Sequence, residues 1–236
     1  MPGFKTKLFF KFKRNPFFVC SFMKVKIEVW SDVVCPFCWL GKRRLDHAIS
    51  KSVNKDDVGV EWRSFQLNPE LKTDGGISIQ EYLSRVKGFD INQIRQINSQ
   101  LTETGAGVGL NYQFDKIVVA NSMQAHQLLH EAKIQGKQHV IKENLFQTYF
   151  ELGKNIDDPQ VLLELARDSG MDISATDQSI RTKKHWSTIQ SDITQAQQFG
   201  VRGVPFFVFN RKFTVRGAQE LDIFTQVLEE AWKDAH

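Results

Sequence analysis

One stretch limits what this chain can fold into more than any other. A strand pattern, a Cys-Pro-Phe-Cys motif and a helix pattern follow one another over residues 25–49 with no long loop between them. Val25, Ile27 and Val29 alternate with Lys26, Glu28 and Trp30, the period-two signature of a half-buried strand. The pattern ends at Ser31-Asp32. Leu45, Ala48 and Ile49 then recur at helical spacing on the face that also holds Cys38 and Gly41, which puts Cys35-Pro36-Phe37-Cys38 at a helix N-terminus. Val58, Val60 and Trp62 alternate again. Strand, helix and strand in this order predict a parallel pair with a crossover helix.

From about residue 76 the pattern turns to helices. Ser78 with Glu81 and Asp90 with Gln93 read as capping pairs, and Ile91, Ile94, Ile97 and Leu101 mark one apolar stripe. Further helices are expected over 117–135, 138–152 and 159–169, the last with Asp158 as N-cap, Pro159 in the first turn and Gly170 as stop. Gly105, Gly107 and Gly109 follow a helix and not a strand, so they read as a linker and not as a nucleotide loop. Trp186, Ile189, Ile193, Ala196 and Phe199 line another helix, stopped by Gly200. VPFFVF at 204–209 suits a buried strand. Asn210-Arg211-Lys212 then turns the chain into Phe213 and Val215, and Leu221, Phe224, Leu228 and Trp232 close it with an amphipathic helix. The organisation is one α/β domain made from both ends of the chain, 23–75 and 185–236, interrupted by a helical insertion over 76–184.

At the start of a helix, unpaired N–H groups and the positive dipole end favour a thiolate at Cys35. Pro36 is tolerated there because its missing N–H has no intrahelical partner to lose. Cys38, three residues on, lies within reach of Cys35. Thiol–disulfide exchange needs such a pair: one thiol to attack and a second to resolve the mixed disulfide. A structural zinc site would require four ligands, and a second CxxC or CxxH is absent. A permanent disulfide across two residues closes too small a loop to stabilise much. No metal is expected.

The charge balance points away from nucleic acid. The chain holds 31 basic and 27 acidic residues, but Lys5, Lys7, Lys11, Lys13 and Arg14 all fall within 1–22, which contains no acid. Beyond that leader the counts are 26 and 27, so the excess does not belong to the fold. The leader also carries seven phenylalanines, and its basic residues interrupt any secretory apolar stretch. It reads either as an upstream extension, with translation starting at Met23, or as a basic aromatic tether to a membrane surface; disorder is expected in both cases. No apolar run approaches the ~20 residues of a membrane span. A cytoplasmic setting disfavours permanent disulfides and suits a transient catalytic one.

SDVVCPFCWLGKRRL, NSMQAHQLLHEAKIQGK and GVRGVPFFVFN followed by RGAQ resemble the FrnE-like branch of the DsbA family, within the thioredoxin superfamily; the resemblance covers about 24–236. It implies a thioredoxin-like fold split by a helical insertion, and a cis-proline loop at Pro205 facing the active-site helix. Val204 would offer its backbone to an extended substrate segment, with Pro36 and Phe37 beside it. Family oxidases typically carry His where this chain has Phe37. Phe donates no hydrogen bond to a thiolate, so a less oxidising pair is expected.

Other residues carry two readings each. Asp32, three before Cys35, is a proton relay to the resolving thiol or a turn-capping residue. Trp39 floors a substrate groove or packs in the core. His126 and His130 share a helix face, with His126 near the groove, and Gln127 stands where a zinc protease motif has Glu. Lys42-Arg43-Arg44 reads as a solvated helix face.

The residues thus predict a thiol–disulfide oxidoreductase with Cys35 as nucleophile and Cys38 resolving. It would need no organic cofactor, only a protein or small-molecule thiol or disulfide, with glutathione or a thioredoxin-type reductant as exchange partner. The rivals are a glutathione-dependent isomerase or kappa-class-like glutathione transferase of aromatic compounds, and a non-catalytic chaperone-like module. Those relatives generally have Ser in place of Cys35.

Overall fold

The computed structural model describes residues 24–235; the leader at 1–22, Cys20 and Met23 lie outside the described residues. β1 (Val25–Ser31) leads into α1 (Pro36–Lys51) and β2 (Val58–Ser64). Helices α2 (Ile79–Lys87), α3 (Ile91–Ala106), α4 (Met123–Ile134), α5 (Gln138–Phe146), α6 (Pro159–Asp168), α7 (Ile173–Arg181) and α8 (Trp186–Gln198) follow. The chain returns to the sheet with β3 (Phe206–Phe209) and β4 (Phe213–Arg216), and ends in α9 (Leu221–Asp234). The sheet order is β2-β1-β3-β4. β1 and β2 are parallel, as the crossover argument requires, and both β1–β3 and β3–β4 are antiparallel.

β1 departs from the half-buried reading: apart from Lys26, all its residues are buried. Leu45 and Ala48 of α1 and Phe224, Leu228 and Ala231 of α9 pack with Val25, Ile27 and Val29 on one face. On the other face Trp30, Phe206 and Val208 pack with Ala196 and Val201. Glu28, on that face, is 1% exposed and balanced by Arg63 at 2.6 Å and Arg211 at 2.8 Å. Alternation of apolar and polar residues therefore marks a strand here without marking a wet face.

The capping readings hold. Ser78 and Asp90 each complete a reciprocal capping box, and Asp158 accepts from the Gln160 N–H with Pro159 next to it. The helix expected over 117–135 starts later, at Met123, because Asn121 Oδ1 accepts from the Met123 N–H and Val119 bridges to Asp74 in extended conformation. The stretch 138–152 is α-helical only to Phe146 and continues as a π-turn over Gln147–Glu151. Gly105 is not linker but the last buried position of α3, where an added Cβ would lie 2.5 Å from the Tyr112 ring. Two stripe residues also differ. Trp186 is 47% exposed, and α3 buries Asn98 while leaving Ile97 39% exposed.

Candidate active site

Cys35 is the N-cap of α1 and Pro36 its first residue. The loop before it is tied back on itself: the Cys35 N–H donates to the Asp32 carbonyl and the Cys38 N–H to the Cys35 carbonyl. Both thiols are free and buried, Cys35 at 4% exposure and Cys38 at 0%. Phe37 between them stands 43% exposed, the outward-facing side chain of the motif.

The C-terminal arm closes the site. The Val204-Pro205 peptide is cis, and the Cys35 thiol donates to the Val204 carbonyl oxygen at 3.5 Å. Gly41 permits this approach. A Cβ there would come within 3.0 Å of Pro205 Cγ and of the Phe207 ring, so α1 meets the proline loop on its one bare position.

The environment of Cys35 differs from the thiolate expectation. Its thiol is pushed well above the ordinary range, first by the Cys38 side chain and then by burial, while the Cys38 N–H pulls in the opposite direction. The helix start therefore meets the Cys38 side chain in a dry interior, and these two influences together outweigh it.

Asp32 is fully buried. Burial alone would raise its carboxyl, but hydrogen bonds from His126 and from the Leu67 N–H more than offset this and hold it below the usual carboxylate range. Its Oδ2 accepts from Leu67 at 2.8 Å and its Oδ1 lies 3.3 Å from His126 Nε2. An ionised carboxylate only accepts, so Nε2 carries the proton. Burial lowers the His126 pKa, leaving the ring neutral with a buried Nδ1 that has no hydrogen-bond partner. His126 and His130 thus face the interior and not a surface groove. His130 meets Ser64 Oγ at 3.0 Å and Asp192 at 3.3 Å.

Trp39 belongs to the core. It is 1% exposed, stacks on Phe146 and Phe150, and donates from Nε1 to Glu143 at 3.0 Å. The solvated reading of Lys42-Arg43-Arg44 is corrected here. Lys42 is 2% exposed and lies 2.6 Å from Asp46; Arg44 is 8% exposed and donates to the Ala218 carbonyl at 2.7 Å. Only Arg43 is partly exposed, and it pairs with Glu143 at 2.7 Å. Asp46 one turn along α1, Glu143 of α5 and the Ala218 carbonyl before α9 make burial of these bases possible, and the last two are remote in sequence.

Two further residues at the site have no signal in the sequence. Tyr112 donates from its hydroxyl to the Pro36 carbonyl at 2.7 Å. Lys142 on α5 is 0% exposed, its Nζ lacks a hydrogen-bond partner, and it lies 4.7 Å from the centre of the Phe146 ring. Burial pulls its pKa down to about 8, against the opposing influence of Cys38 and Asp32. Among the described residues no cluster of His, Cys, Asp and Glu suits a metal ion.

This arrangement can do dithiol chemistry. One thiol faces a carbonyl at the rim of the site, and a second lies behind it in a dry interior. Residues 26–229 match the model of the DSBA-like thioredoxin domain. The chain is similar to a Bacillus subtilis (strain 168) protein named "Uncharacterized protein YwbO", 27% identical over 212 residues, covering 89% of this chain and 99% of that one. Among solved structures, the "probable DsbA oxidoreductase SCO1869" of Streptomyces coelicolor superposes with a TM-score of 0.82 at 29% identity, covering 89% and 91% of the two chains. The cytosolic disulfide reductase DsbM of Pseudomonas aeruginosa, also solved with GSH, shares the fold with a TM-score of 0.64 at 14% identity, covering 88% and 98%.

Proposed function

We infer function from one premise: this chain belongs to the DSBA-like thioredoxin domain family, and its Cys35–Cys38 pair acts in thiol–disulfide exchange. The observation that carries this reading is the contact of the Cys35 thiol with the Val204 carbonyl, with Cys38 behind it in the same helical turn.

As a reductant, Cys35 loses its proton and attacks one sulfur of a substrate disulfide. A mixed disulfide forms and the first substrate thiolate leaves. Cys38 then loses its proton and attacks the Cys35 sulfur, so that the Cys35–Cys38 disulfide forms and the second substrate thiol departs. Two electrons pass from the pair to the substrate, and either two equivalents of a monothiol such as glutathione or one thioredoxin-type dithiol protein restore it. Running the steps backwards oxidises a dithiol.

Pro36 and Phe37 on one side and Val204 and Pro205 on the other form the contact surface for the substrate in this reading. Asp32 enters it as the brace of the catalytic turn, its oxygens occupied by Leu67 and His126. The CPFC and GVPFF motifs support placing the chain in the FrnE-like branch, and a cytoplasmic setting suits a reducing pair. Among the described residues no helix is long and apolar enough to cross a membrane.

Trapping tests the reading. Exposed to oxidised glutathione, Cys38→Ser should accumulate a mixed disulfide at Cys35, and Cys35→Ser should accumulate none and lose exchange activity. Equal adduct formation at both positions would contradict the assigned order of attack.

A further inference from the structure

Beside the motif lies a largely enclosed cavity of about 140 Å³, bounded on one side by Asp32, Val34 and Pro36 and on the other by α2 and α3. Leu71, Leu83 and Ile117 line it together with the rings of Phe114 and Phe150. Apolar cavities of about 150 Å³ stay dry and admit benzene, so the space here is that of a single ring.

Its wall is not wholly apolar. Asn98 lines it, is only 9% exposed, and its Nδ2 has no hydrogen-bond partner. A buried amide without an acceptor is destabilising, and the alternative was one residue away: Ile97, which the apolar spacing would place inward, is left 39% exposed. Tyr149 also lines the space, and burial pushes its hydroxyl up, so it stays a protonated donor. Apolar walls with a few polar groups among them are the pattern of a small-molecule site.

We propose that this cavity binds a small molecule with one aromatic ring and a carbonyl or phenolic oxygen, the ring against Phe114 and Phe150 and the oxygen accepting from Asn98 Nδ2. Binding involves no covalent change and does not depend on Cys35, so the proposal goes beyond the exchange reaction and stands or falls apart from it.

The test titrates acetophenone into the full chain, with α-methylstyrene as a match of the same shape lacking the oxygen, followed by calorimetry and protein NMR. Acetophenone should bind one to one, alike in the wild type and in the Cys35→Ser, Cys38→Ser double variant. Asn98→Leu should weaken acetophenone about tenfold, the worth of one neutral hydrogen bond, and leave α-methylstyrene unchanged. Leu83→Trp should fill the space and abolish binding of both, with the circular dichroism of the folded chain retained. Absence of saturable binding, or binding that neither Asn98→Leu nor Leu83→Trp alters, would overturn the proposal.

Discussion

Cys35 donates its thiol hydrogen bond to the carbonyl oxygen of Val204, a residue 169 positions away in the chain. The contact joins the two arms of the fold at one point. Between those arms lie the helices that bury the rest of the motif, with Leu128, Phe146, Tyr149 and Phe150 in one apolar cluster with Cys38 and Trp39. The thiol therefore faces the Val204 carbonyl while its surroundings stay dry. Burial and Cys38 disfavour its charge, and that has consequences for reactivity, pH dependence and redox direction.

Reactivity should rise late with pH. The Cys35 thiol is held above its ordinary value by Cys38 and by burial, so iodoacetamide should modify Cys35 in the Cys38→Ala variant at a lower pH than in the reduced wild type. Mass spectrometry of the modified peptide across a pH series reads both midpoints. A wild-type midpoint in the acid range, with the thiolate already formed at pH 5, would contradict the dry-site account.

Lys142 gives a stability signature. It is charged in both folded and unfolded chains below pH 8, and folding then carries the full cost of burying the ammonium. Between about 8 and 10.5 the folded lysine is neutral while the unfolded chain still binds a proton, so this group's contribution to stability rises with pH. The rise amounts to about 3 kcal/mol. Lys142→Met should be more stable than wild type at pH 7, with the gap closing by pH 10.5 in urea unfolding. Parallel curves for the two chains would show that the buried amine does not titrate as described.

Gly41→Ala weighs two effects. Alanine favours a helix by about 1 kcal/mol over glycine, whereas overpacking typically costs about 1–3 kcal/mol. Contacts of 3.0 Å to Pro205 and Phe207 place this position with the overpacked cases, because both neighbours are themselves buried. The variant should lose about 1 kcal/mol and exchange disulfides more slowly, as the Val204 carbonyl is displaced from Cys35. Chemical unfolding and a turnover assay check it; a gain in stability at unchanged turnover would go against it.

Much of this site is legible in the sequence, because its parts are local. The CPFC turn follows a clean strand and opens a clean helix, and the VPFFVF run that ends in β3 stands out for its apolar continuity. The rest depends on partners brought from afar. Nothing near Lys42 or Arg44 announces that Glu143 and the Ala218 carbonyl will receive them in the interior. Tyr112 lies outside any periodic segment, yet its hydroxyl holds the Pro36 carbonyl. In α3 the spacing favours Ile97 over Asn98, and the structure turns Asn98 inward, toward the cavity, where local preference gives no reason for it. Residues 117–121 carry apolar positions that suit a helix, but the Asn121 side chain caps the backbone at Met123 and delays its start.

The most direct measurement is the reduction potential of the Cys35–Cys38 pair, by equilibration in glutathione buffers and thiol trapping. A buried thiol whose anion is not stabilised favours the disulfide over the dithiolate, and Phe37 adds no donor to reverse this. The account therefore predicts an intramolecular disulfide with a potential toward the reductase value of about −270 mV and away from the about −120 mV of a strong oxidant. Failure of the pair to form a disulfide at any glutathione ratio, with a stable glutathione adduct in its place, would contradict dithiol exchange and favour a glutathione-dependent isomerase or transferase.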